Sequence, residues 1–343
     1  MKKTAKLTAL LLALVMALSL AACSGDPGAA NTQPPAGNNS QAPEQATPPA
    51  GTAKYTVGIS QYVTHDALDA ATQGFIDAMN DKLGKDGWTY DLQNAAEDVN
   101  TCSTIALSFV SQNVDLIMAN ATPALQAAAA ATGDIPILGT SVTEYGVAFK
   151  IENFSGTVGG NVSGTSDLAP LDQQAAMIKE WYPDAKNVGL LYCSKEDNSQ
   201  YQVDTVQGFL EELGYACTQY AFSDSNDIAA VCQTAIDASD VLYIPTDNSA
   251  ASNAGIIDNL CRGVIPVFCG EEGICKGCGV ATLSISYYDI GYKTGEMAAD
   301  ILVNGADIST MPIQYAPEFV KKYNPAICEA LNASVPEGYE AIG

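Results

Sequence analysis

The chain has 343 residues, of which 39 are acidic and 15 basic, and its formal net charge is −24. This charge argues against nucleic-acid binding, because the chain would repel phosphate backbones and has no basic block to compensate. A hydrophobic content of 47% predicts a globular protein of about two domains, and the single histidine excludes a histidine-rich zinc site.

The first 22 residues have the order of a secretory signal peptide. Lysines precede an apolar run over residues 7–20, which is short for a bilayer core of about 30 Å. The run ends in Leu20-Ala21-Ala22-Cys23, which resembles the lipobox of bacterial lipoproteins, where the cysteine is lipidated and becomes the first residue. We therefore expect a signal peptide over residues 1–22 and a lipid on Cys23. Secretion without a lipid is the alternative.

Residues 23–53 are predicted to form a flexible tether. After Cys23 the segment carries six prolines, two charged side chains and no apolar periodicity, so it cannot bury a core. A lipid, a tether and an acidic globule describe an exported protein held at the outer face of the cell membrane through its lipid alone.

From residue 54, short β-rich runs alternate with amphipathic helical stretches. The first series has predicted strands at Tyr55–Ser60, Asp115–Ala119 and Ile135–Thr140. The second has predicted strands at Asn187–Cys193, Ala216–Tyr220, Val241–Ile244, Ile265–Cys269 and Gly279–Leu283. Its predicted helices are Asp172–Trp181, Ser199–Leu213, Ile228–Ala238 and Ser252–Arg262. This alternation predicts an α/β protein with two doubly wound parallel-sheet lobes, divided near residues 155–170.

Open parallel sheets bind ligands outside the carboxyl ends of their strands. The residues that follow the predicted strands are rich in hydroxyl, amide and carboxylate groups, and each group leads toward a helix start. They predict a small polar binding site made of Ser60, Gln61, Tyr62, Asn120, Thr122, Thr140, Ser141, Ser194, Asn198, Ser199, Thr246, Asp247, Asn248 and Glu271.

No catalytic or nucleotide-binding motif accompanies these residues. The chain lacks a Gly-x-Gly-x-x-Gly after its first strand, a Walker phosphate loop and a Gly-x-Ser-x-Gly elbow. His65 lies at a predicted helix start, where it is interpreted as an exposed or capping residue or as part of a cleft rim. We expect no enzyme activity and no cofactor.

The ten cysteines leave two interpretations open. Besides Cys23 and Cys102, eight fall at Cys193 or beyond, and an exported domain permits their pairing. Cys275 and Cys278 form the only Cys-x-x-Cys, in a glycine-rich segment expected to be a loop, and no second close pair completes a zinc site. A local disulfide or buried free thiols are the alternatives, and no metal is expected.

The only arginine, Arg262, ends a predicted helix beside Gly263. A ligand carboxylate is therefore expected to find no guanidinium clamp. Helix-start N–H groups and the hydroxyls of Thr122, Ser141 and Ser199 would hold it instead, with Lys195 as the nearest cation.

Five stretches of the sequence resemble those of a known protein family. They are Ala121–Ala124, Val162–Asp167, Glu196–Ser199, Val241–Asn248 and Ile285–Gly295. In this order, over about residues 55–335, the chain resembles ABC-transporter substrate-binding proteins of the tryptophan/tyrosine type. The relatives tend to show Asp-Pro where this chain has Thr143-Glu144-Tyr145-Gly146, so the ligand is not carried over.

The resemblance implies a type I periplasmic-binding-protein fold, in which two lobes joined by three chain crossings close over a small molecule. The first lobe would comprise residues 54–163 and about 284–308, and the second residues 164–283 and about 309–343. The resemblance also implies delivery of the ligand to a membrane permease driven by an ATPase, and we expect a monomer.

The expected ligand is a small zwitterion, with an aromatic amino acid as the first choice. Asp247 or Glu144 would pair with its ammonium group. Its side chain would pack against one or more of Tyr62, Tyr145, Tyr201 and Tyr287. The alternatives are a sugar or nucleoside receptor, a ligand-sensing subunit of a signalling system and, less favoured, an exported enzyme.

Overall fold

The computed structural model describes residues 54–343, so the predicted signal peptide, Cys23 and the tether lie outside the described residues. Over residues 54–343 no helix has both the length and the apolar character needed to cross a membrane. The described chain forms two α/β lobes, each built on its own sheet.

The first lobe contains a six-stranded sheet in which all neighbouring strands are parallel. The strands are β1 (Tyr55–Gln61), β2 (Trp88–Asn94), β3 (Leu116–Asn120), β4 (Ile137–Val142), β5 (Val162–Ser166) and β11 (Gln314–Tyr315), in the spatial order β11-β5-β4-β3-β1-β2. The helices are α1 (Asp66–Leu83), α2 (Val99–Gln112), α3 (Thr122–Ala131), α4 (Tyr145–Ala148) and α11 (Tyr287–Asn304).

The second lobe contains a seven-stranded sheet. Its strands are β6 (Asn187–Cys193), β7 (Ala216–Phe222), β8 (Val241–Ile244), β9 (Val267–Cys269), β10 (Ala281–Ser284), β12 (Val320–Tyr323) and β13 (Glu340–Ala341), in the order β13-β12-β10-β9-β8-β6-β7. Only β10 and β12 pair antiparallel. The helices are α5 (Leu171–Trp181), α6 (Asp197–Glu212), α7 (Ile228–Ala238), α8 (Asn248–Ser252), α9 (Ala254–Cys261), α10 (Glu272–Cys278) and α12 (Pro325–Leu331).

Both sheets are covered on both faces, which explains the continuous apolar runs of their central strands. In β8, Val241 and Tyr243 pack into one core cluster, whereas Leu242 and Ile244 pack into another. Successive side chains of a strand point to opposite faces, so each central strand contributes to two cores. Helices thus leave only the ends of the strands free to form a site.

The chain crosses between the lobes after β5, after β10 and after β11. The boundaries expected from the sequence need a small correction. Residues 164–166 belong to the first sheet, because Gly164 pairs with Gly139 and Ser166 with Val142. Residues 314–315 also belong there, since β11 pairs with β5.

The Cys-x-x-Cys segment is helical, which corrects the expected loop. Glu271 accepts hydrogen bonds from the N–H groups of Gly273 and Ile274 at 2.5 Å each, and this cap starts α10 despite the glycines. Cys275 and Cys278 are buried, and the nine cysteines of the described chain are all free thiols. Between residues 54 and 343, no cluster of histidine, cysteine or carboxylate side chains is arranged to hold a metal ion.

Candidate ligand-binding site

The residues predicted to form the site lie at the carboxyl ends of strands in both lobes. In the first lobe they end β1, β3 and β4 or start the helix that follows. In the second lobe they follow β6, β8 and β9. Of the predicted set, Tyr287 comes from the crossing after β10, where it starts α11.

The two lobes touch each other along these edges. His65 Nε2 of the first lobe lies 3.2 Å from Asn248 Oδ1 of the second. An ion pair joins Asp66 Oδ2 of the first lobe to Lys276 Nζ of the second at 2.9 Å. The lobes are therefore closed, and the strand ends between them are buried.

Several buried side-chain atoms at these strand ends have no hydrogen-bond partner within residues 54–343. They are Ser60 Oγ, Asn120 Oδ1, Thr122 Oγ1 and Ser141 Oγ in the first lobe, Asp167 Oδ1 in the first crossing, and Asn198 Oδ1 in the second lobe. A buried polar atom left unsatisfied costs about 1–3 kcal/mol. Their concentration at facing strand ends indicates a ligand-binding site.

Four buried acids accompany these atoms, namely Asp167, Glu196, Asp247 and Glu271. Burial raises the pKa of Asp167 to about 6 and that of Glu271 to about 7. Burial and the nearby charge of Glu196 raise the pKa of Asp247 to about 8. The pKa of Glu196 is also raised by burial. A cation would therefore stabilise this side of the cleft.

Asp167 has the one carboxylate oxygen among these four acids that lacks a hydrogen bond. Its other oxygen, Oδ2, accepts a hydrogen bond from the Tyr287 hydroxyl at 3.0 Å. The hydroxyls of Thr143 and Tyr287 lower the pKa of Asp167, but less than burial raises it. Asp167 is thus fixed in orientation and has one free acceptor.

Residues 56–339 match the family described as ABC transporter substrate binding protein. The chain belongs to this family. A tyrosine-binding protein of Clostridioides difficile (strain R20291) is 39% identical over 263 residues, which is 75% of each chain. A crystal structure of an ABC domain from Streptococcus pneumonia in complex with L-Trp is 29% identical, with a TM-score of 0.80, covering 84% of this chain and 99% of that one.

A ligand-free, open substrate-binding protein with adhesive properties from Clostridium difficile is 37% identical, covers 84% of this chain and 99% of its own, and has a TM-score of 0.65. The L-Trp complex therefore superposes better although its identity is lower, which agrees with the contacts between the lobes. The fold is that of type I periplasmic binding proteins. Members of the family are extracytoplasmic solute-binding proteins and not enzymes.

In this substrate-binding protein, two of the strand ends are strained. Ala121 has a φ of 89° and Ser141 a φ of 54°, and such conformations cost non-glycine residues of order 1–3 kcal/mol. Ala121 lies between Asn120 and Thr122, and Ser141 lies where the register of β4 becomes irregular. The strain therefore falls beside side chains that carry unpartnered polar atoms, as is common at binding sites.

Asp247 and Glu144, the acids expected to face an ammonium group, cap helices of the substrate-binding protein. Asp247 accepts hydrogen bonds from Cys193 N at 2.7 Å and from Ala250 N at 2.8 Å, so both of its oxygens are used. Glu144 accepts one from Gly146 N at 2.9 Å at the start of α4. The fold thus uses both oxygens of Asp247 and one of Glu144, whereas Asp167, which the sequence-based set lacks, has a buried oxygen that is free.

The tyrosines differ in their surroundings. Tyr145 lies in the core of the first lobe, where its hydroxyl donates to Thr165 O at 3.0 Å. Tyr62 is buried, and its hydroxyl donates to the backbone of Glu97. Tyr201 is half-buried in a groove of about 580 Å³ that Glu144 also lines. Tyr62, Tyr201 and Tyr287 remain candidates for ligand packing.

Other members of the predicted set have partners inside the protein. Ser194 is exposed and donates to Phe222 O at 3.1 Å, and Lys195 is exposed and pairs with Asp224 at 3.5 Å. Neither supports the expected contact with a ligand, because both side chains bond to the β7 side of the second lobe. Hydrogen bonds within the protein also engage Gln61, Thr140, Ser199, Thr246 and Asn248.

Sequence reasoning missed Asp167 as a site residue because it missed the strand that precedes it. The segment Val162–Ser166 is rich in serine, threonine and glycine and lacks the apolar run expected of a buried strand. A signal was nevertheless present, since Asp167 ends one of the stretches that resemble the family.

Proposed function

We propose that the protein is a lipid-anchored, monomeric receptor of an ABC importer that captures an aromatic amino acid between its lobes. The captured ligand would pass to a membrane permease driven by an ATPase. Closure would be the signal for delivery, because a ligand that contacts both lobes favours the closed form through contacts that the open form lacks.

The observation that carries the proposal is the division of donors and acceptors in the cleft. The first lobe offers the hydroxyls of Ser60, Thr122 and Ser141, which can each donate to a carboxylate and outnumber its one unpartnered amide oxygen, Asn120 Oδ1. The crossing and the second lobe offer the oxygens of Asp167 and Asn198, which can accept from an ammonium group. A zwitterion fits both sets when its two ends face opposite sides of the cleft.

Other observations support an aromatic side chain on the ligand. A relative at 39% identity is a tyrosine-binding protein, and a structural neighbour was solved with L-Trp. Tyr62 and Tyr287 are buried at the lobe boundary, where an aromatic ligand ring could pack against them. A sugar or nucleoside lacks an ammonium group and would leave the Asp167 carboxylate without a cation.

Calorimetry and thermal unfolding of the chain without its signal peptide test this proposal. We expect L-tyrosine, L-tryptophan or L-phenylalanine to raise the stability of the folded protein, by about 2.7 kcal/mol at a ligand concentration one hundred times Kd. Tyramine, which lacks the carboxylate, and 3-(4-hydroxyphenyl)propionate, which lacks the ammonium group, should each bind more weakly than tyrosine. If glucose, inositol or uridine bound more tightly than these amino acids, the protein would be a receptor for a sugar or nucleoside and not for an amino acid.

The lipid anchor is tested separately through Cys23. In a bacterial host that processes lipoproteins, we expect the native chain to fractionate with membranes. A Cys23→Ser variant should lose the lipid and appear in the soluble exported fraction, because the tether carries no apolar segment of its own. Labelling with a fatty-acid analogue should mark the native chain and not the variant. Equal membrane association of both would contradict the anchor.

A further inference from the structure

A contact between Glu97 and Ser249 joins the two lobes. Ser249 lies in α8 of the second lobe, and its hydroxyl donates a hydrogen bond to the Glu97 carboxylate of the first lobe. Ser249 is buried, with 1% of its surface exposed. The exposed ion pair between Asp66 and Lys276 is a weaker candidate for holding the lobes, since solvent screens it.

The loop that carries Glu97 is held in an unusual conformation. Ala96 and Glu97 have φ values of 50° and 66°, so two consecutive non-glycine residues are left-handed. Backbone hydrogen bonds fix this shape, because Glu97 N donates to Tyr62 O at 2.9 Å and the Tyr62 hydroxyl donates to Glu97 O at 3.2 Å. The strained loop thereby positions the Glu97 carboxylate toward the other lobe.

In the second lobe, hydrogen bonds join the start of α8 to the buried acid Glu196. Glu196 accepts hydrogen bonds from Asn248 Nδ2 at 2.6 Å and from Ser249 N at 2.9 Å. Because Asn248 Nδ2 donates to Glu196, its Oδ1 is an acceptor, and the neutral His65 ring donates to it through Nε2. Burial lowers the pKa of His65, which favours that neutral form.

We propose that Glu97 and Ser249 form an interlobe latch that sets how long the closed receptor retains its ligand. Both are positioning residues that act through the relative placement of the lobes. The latch contact exists only when the lobes are closed, so it stabilises the closed state and slows opening. It does not contribute to the first encounter of ligand and open cleft.

The test measures the association and dissociation rates of L-tyrosine by stopped-flow fluorescence. Only the choice of this ligand rests on the proposed function. We expect Glu97→Ala and Ser249→Ala each to raise the dissociation rate about fivefold or more, with little change in the association rate. The double variant should dissociate no faster than the faster single variant, because one contact is lost in each case. Additive effects, or unchanged dissociation in both folded variants, would overturn the latch.

Ser252→Ala is the matched control, because its hydroxyl bonds to Ser249 O within α8 and not across the lobes. We expect its rates to equal those of the native protein. Should no amino acid bind the native protein, the proposed function fails, and X-ray scattering tests the latch without a ligand. Where the unliganded native protein is as compact as the closed structure, the latch predicts a larger radius of gyration for Glu97→Ala and Ser249→Ala than for Ser252→Ala, and equal radii would refute it.

Discussion

Asp167→Asn is expected to weaken the binding of L-tyrosine by about 2–5 kcal/mol, the loss typical when a buried charge pair is broken. The carboxylate is buried, Tyr287 fixes one of its oxygens, and the other has no partner within the described chain. The amide that replaces it has almost the same shape and no charge, so the ligand ammonium group would be buried beside a neutral group. Calorimetry on both proteins measures the difference.

Two comparisons separate this effect from a general disturbance of the site. Asp289→Asn makes the same change of charge at an exposed position of α11 and should leave affinity unchanged. The affinity for 3-(4-hydroxyphenyl)propionate, which has no ammonium group, should not fall in Asp167→Asn. If the variant bound tyrosine as tightly as the native protein does, another acceptor, with Asn198 the first candidate, would have to hold the ammonium group.

The pH dependence of the same measurement gives an independent readout. Burial raises the pKa of Asp167 to about 6, and an ammonium ligand favours the ionised carboxylate. Below that pH, binding must also displace a proton, so ionisation of Asp167 should contribute about a tenfold rise in affinity from pH 5 to pH 7. In Asp167→Asn this rise should be absent.

The alternation of apolar and polar segments was sufficient to predict the architecture. β6, β8 and α7 have the predicted bounds, because buried parallel strands and amphipathic helices produce strong local patterns. β2 was missed because it is an edge strand: most of its residues are only half-buried, so its sequence keeps polar side chains. The prediction also missed β5, which lies between β4 and β11 in the first sheet and has no apolar run.

Parallel sheets bind ligands at the carboxyl ends of their strands, and this rule predicted where the site would lie. The rule could not predict which acids have a free oxygen. Nothing in the sequence shows that the Asp247 oxygens accept hydrogen bonds from Cys193 and Ala250, since those contacts depend on the finished fold. Glu97 lies 152 residues from Ser249 along the chain, and no local pattern relates the two. Sequence patterns therefore predicted a site at the strand ends, while the partners of each polar atom in the fold decide which of these residues are free to bind.

Gly291→Ala is expected to lower the free energy of unfolding by about 2 kcal/mol or more, the scale of an overpacked core. Gly291 lies where α11 crosses α1, and a Cβ there would come within 1.9 Å of Ala71 O. A Cβ at Gly74 would come within 2.1 Å of Tyr288 O, so the two helices touch through their backbones. Backbone atoms cannot rotate away, and the helices would have to separate. Urea unfolding of the native protein and the variant measures the loss.

Helix propensity alone predicts the opposite sign, since alanine is favoured over glycine within a helix by about 1 kcal/mol. Gly208 provides the matched control, because it lies in α6 and an added Cβ there has no neighbour within 4 Å. Gly208→Ala should therefore stabilise the protein slightly, while Gly291→Ala should destabilise it. A gain at both positions would show that α1 and α11 can move apart at little cost. The expected opposite signs would show that the close backbone contact between α1 and α11 outweighs helix propensity at Gly291.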